Sequence, residues 1–130
     1  MSRRIPRTVL VVDDDPFFAF ELGGSLRGCG YTVIGAAKAV EAYNLLLEQN
    51  IDLAVVDLNL PDRSGLELIH QAKQSGKAVK ILAITGALGD VYLEIATFLG
   101  ADRAIRKLPG GLGNDFAAEE WTNAIDVMLQ

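Results

Sequence analysis

The chain predicts an α/β domain, a parallel sheet covered by helices on both faces. Five strand-like apolar runs alternate with five segments that carry helix punctuation. Three of the runs are nearly uninterrupted and rich in β-branched residues, as strands buried on both faces are: TVLVVD (8–13), DLAVVD (52–57) and VKILAIT (79–85). The other two, YTVIGA (31–36) and ADRAIRK (101–107), mix polar with apolar residues, as edge strands do. A length of 130 residues fits one domain and leaves little room for a second.

Each helix follows from local signals. Asp15 is placed to cap the first, with Pro16 at its first position and Phe18, Leu22, Leu26 and Cys29 as its inner stripe. The second, about 38–49, offers Ala39, Ala42, Tyr43, Leu46 and Leu47. Ser64 and Glu67 have capping-box spacing at the start of the third, and Gly76 closes it. The fourth shows Leu88, Val91, Tyr92, Ile95 and Leu99 and stops at Gly100. The fifth starts near Asn114 and places Ala117, Trp121, Ala124 and Met128 on one stripe. Right-handed crossovers then restrict the topology.

Composition narrows the functional classes. Half of the residues are hydrophobic and 22% are charged, which supports a buried core and argues against disorder. A net charge of -5 disfavours non-specific nucleic-acid binding. Residues 1–7, with Arg3, Arg4 and Arg7, read as a solvated tail. The first apolar run is too short for a signal peptide, and no run approaches the ~18 apolar residues of a membrane span. The single cysteine, Cys29, reads as a buried filler in a reducing compartment. These signs together predict a cytoplasmic protein. The glycine-rich LPGGLGND (108–115) lacks the Lys-Ser/Thr ending of a P-loop. His70 reads as a solvated helix residue and Trp121 as packing.

In open α/β sheets ligands bind outside the carboxyl ends of the strands, so the strand ends matter most. The first run ends in Asp13 followed by Asp14, the third in Asp57, the fourth in Thr85 and the fifth in Lys107. A parallel sheet brings all of them to one rim. Two carboxylates about 4 Å apart repel by about 4 kcal/mol at an effective dielectric near 20. A hard cation removes that cost. Mg²⁺ takes oxygen ligands and keeps several waters, so a carboxylate pair with a backbone carbonyl from the loop DLNLPD (57–62) suits it.

The segments VLVVDDDP, AVVDLNLPDRSGLEL, ILAITG and GADRAIRK occur in that order along the chain. Together they resemble the receiver domain of two-component response regulators over nearly the whole length. The resemblance implies a flavodoxin-like, doubly wound five-stranded parallel sheet of order 2-1-3-4-5 with five helices. It implies a non-enzymatic switch in which Asp57 accepts a phosphoryl group from the phosphohistidine of a histidine kinase or histidine phosphotransfer protein. By the same match Asp14 and Asp57 bind Mg²⁺ with the backbone carbonyl of Asn59, Asp13 acts through water, and Thr85 and Lys107 contact the phosphoryl oxygens. Residues 1–130 then form a single receiver domain, with no output domain in this chain.

Two departures from the family pattern stand out. Leu108 follows Lys107 where the family has a proline, often cis, and Pro109 comes one position later. A non-proline cis bond costs about 2.5–4 kcal/mol, so the peptide is expected trans or the loop rebuilt, with glycines 110, 111 and 113 as slack. Ala104 stands where the family has an aromatic reporter, so the signal is expected to be read elsewhere or relayed. Phe17 and Phe20 lie off the stripe of the first helix, as local packing or as a docking surface for a partner helix bundle. Three other readings compete: a receiver used as an unphosphorylated interaction module, a haloacid-dehalogenase-like phosphatase and a flavodoxin. Asp13 and Asp15 have the D-x-D spacing of the phosphatase, but Phe17 stands where it needs Thr or Val. Acidic residues after the first strand would repel the flavin phosphate of the flavodoxin.

Overall fold

The structure, a computed structural model, describes residues 7–86, 89–107 and 115–130. Five strands alternate with five helices: β1 (Thr8–Val12), α1 (Pro16–Gly28), β2 (Thr32–Ala36), α2 (Ala39–Glu48), β3 (Leu53–Asp57), α3 (Gly65–Gln74), β4 (Lys80–Thr85), α4 (Asp90–Leu99), β5 (Arg103–Arg106) and α5 (Asp115–Met128). The strands form one sheet of order β2-β1-β3-β4-β5, every pair parallel. The expected strands are found one or two residues shorter at their ends, where ladder pairing stops.

Alternation along each central strand divides the core in two. Leu10, Val12, Ala54, Val56, Ile81 and Ala83 pack on the side of α2, α3 and α4. Val9, Val11, Leu53, Val55, Leu82 and Ile84 pack on the side of α1 and α5. Both faces of β1, β3 and β4 are covered, which is why those runs are apolar throughout. From β1 the chain moves outward to β2 on one side and then returns past β1 to β3 on the other, so the crevice between the carboxyl ends of β1 and β3 is the topological switch point.

The helix signals hold in part. Asp15 caps α1 by accepting from the N–H groups of Phe17 and Phe18 at 3.0 and 3.4 Å, with Pro16 behind it. Ser64 caps α3 through the Leu66 N–H at 3.1 Å, while Glu67 faces Arg63 at 3.9 Å rather than closing the box. Gly76 and Gly100, with φ of 80° and 124°, end α3 and α4 in the left-handed region that a side chain disfavours. Phe18, Leu22 and Leu26 are buried on α1, but Cys29 is exposed, because α1 ends just before it. Gly23 is buried on the same helix, against Val33.

Three other faces differ from expectation. On α2 the half-buried Leu45, not the exposed Leu47, completes the stripe with Ala39, Ala42 and Leu46. On α4 the expected inner residues Val91, Tyr92 and Ile95 are exposed and Ala96 is buried, with Leu93 and Leu99 packed beside it. This helix carries two overlapping apolar stripes, and packing on β4 and β5 selects the narrower one. On α5, Ile125 joins Trp121 and Ala124 among the buried residues, as does Leu129 just past the end of the helix. His70 is exposed as expected. The positions Leu88, Leu108, Pro109, Asn114 and the glycines 110, 111 and 113 lie outside the described residues, as does the side chain of Ala117.

Candidate functional site

Every strand-end residue singled out from the sequence reaches the same rim. Asp13 continues β1 by one step, its N–H bonding the Ala36 carbonyl at 3.0 Å. Asp57 is the last residue of β3, and Leu58 donates to the Ile84 carbonyl at 2.9 Å. Thr85 ends β4 almost fully buried, and its carbonyl accepts from the Lys107 N–H at 2.8 Å. Carboxylate oxygens of Asp13, Asp14 and Asp57 all lie within 4.8 Å of one another.

The three consecutive aspartates do three different jobs. Asp13 is buried, and its two oxygens accept from the Asp15 N–H at 2.9 Å and from Lys107 Nζ at 3.0 Å. Asp14 is exposed and meets solvent and the cluster together. Asp15 caps α1 and lies 3.9 Å from Lys107 Nζ. Lys107 therefore leans toward the β1 side of the rim, its side chain only 13% exposed.

Burial dominates the electrostatics. It pushes the Asp57 carboxyl up to about 6; the Asn59 N–H, at 3.1 Å from Oδ1, opposes this, the charge of Asp13 adds to it and Lys107 opposes it. Burial also raises Asp13, against the pull of the Asp15 N–H and Lys107. Two buried carboxyls that resist ionisation mark a rim short of positive charge. The donor set is all hard oxygen and in excess of Lys107, so it fits a hard divalent cation.

Two further residues shape the site, and the motif reading missed the function of both. Gly65 begins α3 directly behind Asp57: a Cβ there would fall 2.7 Å from Leu58 Cα and 2.9 Å from the Asp57 carbonyl carbon. Its N–H bonds the Leu58 carbonyl at 3.0 Å, folding the loop back on itself. Asp62, from the same loop, accepts from the N–H groups of Ala39 and Val40 at 2.8 and 3.0 Å. It supplies the cap that Lys38 does not, and these bonds hold the Asp62 carboxyl below its usual range. The loop that carries Asp57 and Asn59 is thus pinned at both ends. Only the tail of the family-like string DLNLPDRSG hinted at this.

Comparison with known proteins places this geometry. The model of the response regulator receiver domain matches residues 9–110. The chain belongs to that family. The receiver is 35% identical over 80 residues to the probable transcriptional regulatory protein TcrX of Mycobacterium tuberculosis, covering 62% of this chain and 34% of that protein. It is 28% identical over 103 residues to the TorCAD operon regulator TorR of Escherichia coli, covering 79% and 44% respectively. The chain thus spans less than half the length of these curated relatives. Among solved structures, a CheY-like receiver domain protein from Methanospirillum hungatei superposes with a TM-score of 0.85 at 27% identity, covering 96% of this chain and 94% of that one. A Burkholderia pseudomallei response regulator, crystallised with a phosphorylated aspartic acid and a calcium ion, superposes with a TM-score of 0.78 at 30% identity, covering 95% and 66%. The expected fold, strand order and family all stand. Among the described residues no helix is long and apolar enough to cross a membrane.

Proposed function

We propose that this receiver takes a phosphoryl group onto Asp57 and works as a cytoplasmic switch or relay, with residues 1–130 acting as one receiver unit. The observation that carries this reading is the position of Asp57. It is a buried carboxyl at the switch point, within reach of two other carboxylates and under the influence of Lys107. With its carboxyl raised to about 6, Asp57 is largely ionised at pH 7.5 and available as a nucleophile. One of its oxygens attacks phosphorus, the P–N bond of a phosphohistidine breaks, and the imidazole leaves with the bonding pair and takes up a proton. The product is an acyl phosphate.

Asp14 and Asp57, with the Asn59 carbonyl, would hold Mg²⁺, and Asp13 would act on it through water. When bound, the ion supplies positive charge to the phosphoryl oxygens. Lys107 offers its ammonium and Thr85 its hydroxyl to the same oxygens. Asp13 keeps Lys107 at the rim until they arrive. The donor would be a histidine kinase or histidine phosphotransfer protein. Phe17 and Phe20 on α1, 75% and 78% exposed beside the site, offer it an apolar landing; Phe20→Ala should slow transfer from such a partner and leave acetyl phosphate unaffected.

The deciding experiment is incubation with acetyl phosphate and Mg²⁺ followed by intact mass. Wild type should gain one phosphoryl group and Asp57→Ala none. Equal gain in both proteins would remove Asp57 from the role.

A further inference from the structure

Lys107 has more holding it than its carboxylate partner. Its Nζ sits over the ring of Phe18, 4.3 Å from the centroid. Phe18 is itself fixed: it is 2% exposed on the inner face of α1, and its ring meets Trp121 of α5 in a T-shaped contact at 5.5 Å and 83°. A lysine stem has four rotatable carbons and a compact, strongly hydrated charge, so at a half-open rim it is free to swing into solvent. The face of an aromatic ring attracts the ammonium through its quadrupole and accepts no strong hydrogen bond. A carboxylate partner neutralises the charge it holds; a ring face leaves all three N–H donors for Asp13 and for arriving oxygens.

We propose that Phe18 is a positioning residue for phosphoryl acceptance: its ring face, braced by Trp121, holds the Lys107 ammonium at the rim in a state free to bind phosphoryl oxygens. This rests on the phospho-accepting reading above. Through its contact with Trp121 the ring also connects the Lys107 site to α5, on a side of the sheet that Ala104 does not face.

The test is to replace Phe18 in the full chain by 4-fluoro-, 3,5-difluoro- and 3,4,5-trifluorophenylalanine, and separately by leucine. Fluorines drain the ring face of negative potential and leave its shape nearly intact. The rate of modification by acetyl phosphate and Mg²⁺ should fall stepwise along the series. Phe18→Leu should be slowed roughly fivefold, the size of one cation–π contact at a partly exposed site. By NMR, the Lys107 ε-methylene protons should resonate upfield in wild type through the ring current, and lose that shift in Phe18→Leu. Thermal unfolding checks that the fluorinated proteins remain folded. Equal rates in wild type and all fluorinated proteins would overturn the positioning role alone. A wild type that gains no phosphoryl group would overturn the phospho-accepting reading instead, and the methylene shift would still report whether the ring holds the lysine.

Discussion

Gly65 makes the room in which the main chain of Asp57 sits. A Cβ at position 65 would collide with Leu58 Cα at 2.7 Å and with the Asp57 carbonyl group. All of these are backbone atoms, so no side-chain rotation relieves the clash. Gly65→Ala should therefore push the β3 end away from α3. A loss of about 1–3 kcal/mol in urea unfolding is expected, as for an overpacked core. The rate of modification at Asp57 should fall as well. An alanine protein with unchanged stability and unchanged rate would contradict the geometry.

The raised Asp57 carboxyl predicts a pH signature in metal-free buffer. Its folded value of about 6 lies above the ordinary 3.8, so the folded protein binds more protons than the unfolded chain between those values. The Asp57 contribution therefore lowers stability as pH rises from about 4 to about 6, and the penalty is fully present at pH 7.5. Asp57→Asn removes it and keeps an oxygen for the Asn59 N–H. The substitution should raise metal-free stability by about 1–3 kcal/mol at pH 7.5 and by little at pH 4. The difference between the two proteins across pH isolates Asp57 from the other carboxyls.

Divalent cation should act against that penalty. If the cluster holds the ion as proposed, Mg²⁺ should raise the unfolding temperature of the wild type at pH 7.5 in a concentration-dependent way, because folding alone brings the three carboxylates together. The shift should shrink strongly in Asp14→Asn, where an exposed carboxylate proposed as a ligand is lost with little change to the buried core. An equal response in both proteins would place the ion elsewhere.

Lys107 and Asp13 form a pair at 3.0 Å with side chains 13% and 0% exposed. Lys107→Met leaves Asp13 buried with its Asp15 N–H bond alone. A loss of about 1–3 kcal/mol in metal-free buffer is expected, since a buried carboxylate loses its counter-charge. Modification by acetyl phosphate should drop at least tenfold, by an amount that intact-mass time courses resolve.

Asp62 predicts a local effect. Asp62→Ala removes the acceptor for two N–H groups at the start of α2, so the amides of Ala39 and Val40 should exchange with solvent much faster. The unfolding temperature should fall by a few degrees at neutral pH. Because these bonds depress the carboxyl, that stabilisation is present above the ordinary Asp range and disappears as pH falls through the lowered folded value. Wild type and variant should therefore converge in acid.

The sequence by itself determined the elements and the rim. Strands buried on both faces must be apolar throughout, so a polar residue that ends such a run is conspicuous, and Asp13, Asp57, Thr85 and Lys107 were legible for that reason. Their meeting followed from the parallel order, which brings every carboxyl end to one side. The tertiary structure alone decided what each aspartate of the triplet does, because burial at Asp13, exposure at Asp14 and capping at Asp15 depend on the turn and on a lysine 94 positions away. It also chose the inner face of α4, where Val91, Tyr92 and Ile95 compete with Leu93, Ala96 and Leu99 and periodicity favours neither. The close approach at Gly65, the reach of Asp62 to α2 and the ring of Phe18 under Lys107 are contacts between segments distant in the chain or facing across a turn. Local pattern carries no trace of such contacts, because their energy arises only when packing brings the partners together.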